Sequence, residues 1–343
     1  MNLFDIIVDK ISRHPKRIVF PEGTELKVLQ AARRFADLKM GVPILLGDQK
    51  VIRGIAEREG IDLHRIMILD PIRSADFPMF CRNLERLDRY KKMGIKHPED
   101  IMVKPNYFAA MMLQYGQADA LVGGTSGYAG SLMRPLIQLI KPLPGIATIT
   151  GAMVMEFEDK SVGENGVLFM GDCAVVPEPT VYQLAGIAYK TGMLARQLLG
   201  VTPRVAMLSF SSKGSARTPQ TERIVSATAL ARERAKENFV EMEIEGELQA
   251  DAALVEEIAK MKVGINPVAG KANVLVFPDL NSGNISSKLI QYLTGARAYG
   301  QVLLGLSKPA ADASRTADVD TIVALAGIVG LQAIEYRRLY PDD

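Results

Sequence analysis

The chain has no tryptophan, and its aromatic share is only 6%. That is too few rings for a surface that stacks nucleic-acid bases. Cysteine is scarce as well: Cys81 and Cys173 are the only two in 343 residues. So few thiols make no disulfide framework, and a reducing cytoplasm is the expected setting. Histidine occurs three times, as His14, His64 and His97, each in a polar stretch. A Ser-His-Asp triad or a zinc site is therefore not expected. The formal net charge is +2, which argues for neither nucleic acid nor an anionic membrane as partner. Nothing approaches eighteen uninterrupted apolar residues. The N-terminal stretch to Lys10 carries charges inside its apolar run, so it reads as an amphipathic helix rather than a signal peptide. Both the Gly-x-Gly-x-x-Gly fingerprint and a Walker Gly-Lys-Ser/Thr are missing, which removes dinucleotide and P-loop readings.

What is present is an alternation. Apolar runs at 17–20, 42–47, 66–69 and 118–124 read as strands, with helical patterning between them at 80–93 and 98–115. Such a βα repeat folds most economically as a doubly wound parallel sheet. Pro142-Leu143-Pro144-Gly145 breaks the chain and is the candidate domain boundary. Beyond it, 146–155, 166–171, 204–210, 272–277 and 301–306 read as strands, and 219–237 as a long helix. Glu245, Glu247 and Asp251 stand close together, and paired acids can bind a metal or trade protons, but Glu247 and Asp251 read more simply as charges favouring the N-terminal end of the following helix.

Three loops carry chemistry. Gly124, Thr125 and Ser126 follow the strand at 118–124, where glycines and hydroxyls let backbone approach a phosphate; a plain strand-to-helix turn has the same composition. Ser209, Ser211, Lys213, Gly214 and Ser215 form a hydroxyl-rich loop with a cation, suited to phosphate or pyrophosphate, with a polar linker as the plain alternative. Asp279 and Asn284 are expected along the same edge. In the third loop the run 301–306 is a strand of a parallel sheet ended by Pro309, and a helix is expected from near Thr316. Between them lie Asp312, Ser314 and Arg315. A hydroxyl and a guanidinium ahead of a helix start suit an anion, although an N-cap serine and a solvated arginine fit the same pattern. Cys173 reads as a small core residue, since no histidine lies near it in sequence to activate it. A site of Ser, Arg, Asp and glycine loops positions anions and moves one proton. It suits substrates that bring their own nucleophile and leaving group.

These stretches carry a resemblance. Pro21-Glu22-Gly23, Arg134-Pro135, Asp172–Pro179, Met207-Leu208-Ser209, Lys213-Gly214-Ser215-Ala216, Gly246-Glu247-Leu248-Gln249, Phe277-Pro278-Asp279-Leu280 and Asp312-x-Ser314-Arg315 occur in order along nearly the whole chain. The chain resembles the phosphate acetyl/butyryl transferase family. The resemblance implies two three-layer αβα domains with mostly parallel sheets and an active-site cleft between them, here 1–145 with 316–343, and 146–315. It implies reversible transfer of an acetyl group between acetyl phosphate and coenzyme A, in the cytoplasm, by a homodimer. Coenzyme A is then a substrate, and no cofactor or metal is expected. Ser314 and Arg315 would sit beside acetyl phosphate. Arg134 would bind the anionic ligands, and Arg89 is the nearest match to a further family arginine. The family places Gly after Ser-Arg and an Asp, which takes the thiol proton, just before the Ile. Here those positions are Thr316 and Thr321, so Asp320 and Asp318 are the candidate bases. A phosphate butyryltransferase and a non-catalytic acetyl-CoA-sensing module are the alternatives.

Overall fold

A computed structural model of the chain describes residues 2–87, 97–127, 130–144 and 148–339. The chain divides into two compact units, Met1–Leu143 with Leu306–Asp343, and Pro144–Gly305.

The first unit opens with α1 (Leu3–Ser12), which starts where the Asn2 side chain accepts the Asp5 N–H at 2.8 Å. Leu3, Ile7 and Ile11 are buried at helical spacing on one face. β1 (Lys16–Phe20) leads to α2 (Leu26–Asp37), whose buried face holds Val28, Leu29, Ala32 and Phe35. β2 (Gly41–Leu46) and α3 (Gln49–Glu59) follow, the helix capped by Asp48 and stopped by Gly60 at φ 64°. The left-handed stop suits glycine, which has no Cβ to clash. Next come β3 (Met67–Leu69), α4 (Phe77–Arg86), α5 (Glu99–Met102), α6 (Pro105–Gln114), β4 (Ala120–Gly123) and α7 (Met133–Leu139). The helix expected over 80–93 is thus seen to Arg86, and 88–93 lie outside the described residues.

The second unit holds β5 (Thr150–Glu156), β6 (Val167–Gly171), α8 (Val181–Leu199), β7 (Arg204–Leu208), α9 (Pro219–Glu237), β8 (Glu243–Leu248), α10 (Ala250–Leu254), α11 (Glu256–Lys262), β9 (Val274–Val276), α12 (Leu280–Thr294) and β10 (Arg297–Leu304). Its strands are ordered β10-β5-β6-β9-β7-β8. β6, β9, β7 and β8 run parallel, whereas β5 is antiparallel to both of its neighbours. The run 301–306, expected in a parallel sheet, therefore belongs largely to an antiparallel strand. An apolar run buried on both faces does not reveal its partner's direction. Glu245 and Glu247 lie on β8, a strand that periodicity does not reveal, whereas Asp251 falls in the first turn of α10 as expected. Its core is Met155, Leu168, Met170, Ala206, Leu208, Leu248 and Leu275 among others.

The chain then returns to the first unit through β11 (Ala310–Asp312) and α13 (Val319–Leu339). All five strands there are parallel, in the order β3-β2-β1-β4-β11. Because β11 pairs with β4, residues 306–315 belong to the first unit and not to the second. The last helix starts at Val319 rather than near Thr316. It packs on α1, α2 and β4. At Gly327 an added Cβ would fall 2.3 Å from Ile7 Cγ2, so a larger residue would push α1 away. By length and composition Val319–Arg338 is apolar enough to cross a membrane, yet 67% of that window is buried inside the fold. The half-exposed Arg17 and the exposed Arg337 both pair with the buried Asp119, fixing the start of β4 to β1 and α13.

Candidate active site

In the first unit, β11 and β4 are aligned with Ala311 beside Val122 and Asp312 beside Gly123. Parallel alignment makes Gly124–Gly127 and Ala313–Asp318 leave the sheet from one carboxyl-terminal edge, where open α/β sheets bind ligands. The Pro21-Glu22-Gly23 turn follows β1, the other neighbour of β4. Glu22 closes this edge. Its Oε2 accepts the Thr125 N–H at 2.7 Å and the Thr125 hydroxyl at 2.5 Å. Its Oε1 accepts the Ser126 N–H and hydroxyl, both at 3.2 Å. The donors expected to meet a phosphate thus meet a carboxylate of the chain itself. Gly124 is required between them. Its φ is +85°, and a Cβ there would lie 1.8 Å from Asp312 Oδ1.

Asp312 sits over that glycine, its carboxyl pushed up to about 6, first by burial and then by the charge of Glu22. The exposed Ser314 hydroxyl lies 2.9 Å from the Thr316 hydroxyl and accepts the Thr316 N–H at 3.3 Å. Lys27 Nζ donates to the Arg315 carbonyl at 2.7 Å, which holds the loop while the Arg315 side chain stays exposed. Asp318 Oδ1 accepts the Thr321 N–H at 2.8 Å, capping α13. Asp320 is ion-paired with Arg34 on α2. Both candidate bases therefore hold structural partners. Arg134 is exposed on α7, and Arg89 lies outside the described residues. The parts the sequence did not single out are Glu22 and the proton-binding character of Asp312. Their motifs were visible, but the pairing across 103 positions with Thr125 was not.

In the second unit the loop after β7 is built around Glu247 of β8. The buried Ser211 hydroxyl donates to Glu247 Oε1 at 2.9 Å, and the Gly214 N–H donates to the same atom at 2.6 Å. Ser209 Oγ accepts the Ser211 N–H at 3.3 Å, and Ser215 Oγ accepts the Ser212 N–H at 3.1 Å. Lys213 donates to Glu245 Oε1 at 2.6 Å, which Arg232 also reaches at 2.7 Å. Burial alone would raise the Glu245 carboxyl, but hydrogen bonds from Lys213, Asn266 and the Gly246 N–H, with the charge of Arg232, hold it below the usual range. These hydroxyls and this lysine, expected on a phosphate, fold the loop instead. Asp279 accepts the Ser282 N–H at 2.8 Å and caps α12, and Asn284 donates to the Cys173 carbonyl at 3.0 Å. The buried Asp172 accepts the N–H groups of Ala174, Val175 and Val176 and sets that turn. Cys173 is fully buried, its thiol pushed up to about 12 by burial and by Asp172, as a core residue would be.

Among the described residues no group of three or more His, Cys, Asp or Glu could hold a metal ion. The profile of the family described as phosphate acetyl/butaryl transferase matches residues 2–329. A phosphate acetyltransferase of Thermoanaerobacterium thermosaccharolyticum is 39% identical over 335 residues, covering 97% of this chain and all of that one. The solved structure of a phosphotransacetylase from Streptococcus pyogenes superposes with a TM-score of 0.88 at 36% identity, covering 97% of this chain and 98% of that one. A branched-chain phosphotransacylase from Enterococcus faecalis shares the fold alone, with a TM-score of 0.65 at 17% identity, over 93% of this chain and 99% of that one. A family match over nearly the whole length, with relatives above one-third identity end to end, makes this chain a member of the phosphate acetyl/butaryl transferase family.

Proposed function

We propose that the chain catalyses the reversible transfer of an acetyl group between acetyl phosphate and coenzyme A, by direct attack of the thiolate. The observation that carries this reading is the convergence of Gly124–Ser126 and Asp312–Arg315 on one sheet edge, through the register of β4 and β11. That edge offers the Arg315 guanidinium and the exposed Ser314 hydroxyl for an anion, with the Asp312 carboxyl beside them. An acyl phosphate brings its own activated carbonyl and leaving group, and coenzyme A brings the nucleophile.

Ser314 and Arg315 bind the phosphoryl oxygens, and Arg315 also opposes the charge that develops on the carbonyl oxygen. A preorganised donor of that kind is worth about 3–4 kcal/mol of barrier. Arg134 attracts the anionic groups of the substrates. A thiol has a pKa near ~8.5, so only a minor fraction is thiolate at neutral pH and a base speeds the step. Coenzyme A is consumed as a substrate, so the reaction calls for no cofactor.

The assembly is a homodimer. α12 turns Ile285, Leu289, Tyr292 and Leu293 outward at 57%, 54%, 68% and 80% exposure, an apolar stripe that a second copy would cover. The setting is the cytoplasm, which agrees with two unpaired, buried cysteines.

The test is thioester formation by the purified chain with coenzyme A and either acetyl or butyryl phosphate. A higher kcat/KM with acetyl phosphate is the expected result. A preference for butyryl phosphate would move the chain to the butyryl branch of its family, and turnover of neither would remove the activity.

A further inference from the structure

We infer that Asp312, which shares the Gly124–Ser126 turn with the carboxylate of Glu22, is the proton carrier of the reaction, taking the proton from the coenzyme A thiol and giving it to the departing phosphate. This rests on the acetyl transfer proposed above. Two carboxylates flank one turn. Asp312 Oδ1 lies against Gly124, and Glu22 is bonded to Thr125 and Ser126, the next two residues. Their hydrogen bonds are divided unequally. Glu22 accepts four, whereas no described residue donates to the Asp312 side chain. Asp312, partly buried beside a second carboxylate and without a donor, is the member of the pair placed to hold a proton.

The other charged groups near this edge are occupied. Lys27 of α2 is held by the Arg315 and Ala317 carbonyls. Arg34 of α2 is held by Asp320, and Asp318 by the Thr321 N–H. Arg315 is the exposed cation on the loop of Asp312 itself, and residues 124–127 after β4 carry no charge. Asp318 and Asp320 are thus both engaged by other groups of the chain. Asp312 is half-buried and lies two residues before Ser314.

The Asp312 carboxylate takes the thiol proton. The sulfur–carbon bond forms as the bond from carbon to the phosphate oxygen breaks. The protonated Asp312 then gives its proton to the leaving oxygen, which departs as hydrogen phosphate, and the carboxylate is restored. In reverse, Asp312 takes the proton from hydrogen phosphate and gives it to the departing thiolate. A carrier serving both partners works best with a pKa near neutrality.

The experiment is the pH dependence of kcat/KM and kcat for wild type, Asp312→Asn, Asp312→Glu and Glu22→Gln, with coenzyme A affinity measured by calorimetry. Wild type should lose activity as pH falls through about 6. Asp312→Asn should lower kcat by ~10²–10⁴-fold and remove that limb while coenzyme A still binds. Asp312→Glu should restore part of the rate together with the limb. Glu22→Gln should move the limb to lower pH, because a neighbouring negative charge is gone. Wild-type turnover and limb retained in Asp312→Asn would overturn the inference. So would a loss of rate accompanied by loss of coenzyme A affinity and not rescued by Asp312→Glu, which would assign Asp312 a structural role. An inactive wild type would instead remove the acetyl-transfer reading, and Asp312's role with it.

Discussion

Arg34 of α2 and Asp320 at the start of α13 are ion-paired, their side chains 45% and 42% exposed. The pair spends the carboxylate nearest to the position of the family's base on holding two helices together. Exposed pairs of this kind contribute about 1 kcal/mol or less. Asp320→Asn should keep kcat within about twofold of wild type, and stability within about 1 kcal/mol in urea unfolding. Asp318→Ala should cost about 1 kcal/mol through the lost cap, again with kcat little changed. A loss of two orders of magnitude in either variant would return the proton transfer to α13.

Glu247 should matter more to stability than its charge suggests. Removing its side chain leaves the Gly214 N–H without its acceptor and the buried Ser211 hydroxyl with the longer bond to the Ala216 carbonyl at 3.3 Å. Glu247→Ala should therefore destabilise the second unit by about 2–3 kcal/mol, read as a shift in the denaturant midpoint. A midpoint unchanged from wild type would mean that the loop does not depend on β8.

Glu245 fixes part of the acid stability. Its carboxyl is depressed in the folded chain below the value of 4.5 it would have when unfolded. A depressed acid stabilises the fold above the unfolded pKa, and that contribution is lost as pH falls through the folded one. Stability should thus decline below about pH 4.5. In Glu245→Gln the decline should be shallower, and equal slopes would contradict the assigned network.

Asp312 carries the opposite sign. Its carboxyl is raised from 3.8 to about 6, so the folded chain binds the proton more tightly than the unfolded one. Such a group costs stability as pH rises from about 4 to 6, and the cost persists above that range. Asp312→Asn should be more stable than wild type at pH 8, and the difference should vanish at low pH. An Asp312→Asn variant less stable at pH 8 would mean that the carboxylate holds structure rather than a proton.

Much of the architecture could be read from residue order. The helix at Pro219–Glu237 begins where Thr218 caps and Pro219 presets the first turn, and it ends at the expected residue. β11 could not be read, because Ala-Ala-Asp is too short to carry a period and is specified by its neighbour β4. β8 was hidden by Glu245 and Glu247, which are buried where Lys213, Arg232, Ser211 and Gly214 come from elsewhere to meet them. The same holds at the site. Ser314 and Arg315 ahead of a helix start suit an anion and equally an N-cap with a solvated arginine, and hydroxyls of the other two loops look alike whether they face a ligand or a carboxylate of the chain. Composition gives donors, and only long-range pairing shows what they donate to.

On the proposed function, Arg315 stabilises an acyl-phosphate transition state at this edge. The most direct measurement is initial-rate thioester formation from coenzyme A and acetyl phosphate, followed by ultraviolet absorbance, for wild type and Arg315→Ala side by side. Wild type should turn over, and Arg315→Ala should lose about 10²–10³-fold in kcat with the fold intact by circular dichroism. An Arg315→Ala variant as active as wild type would contradict the account.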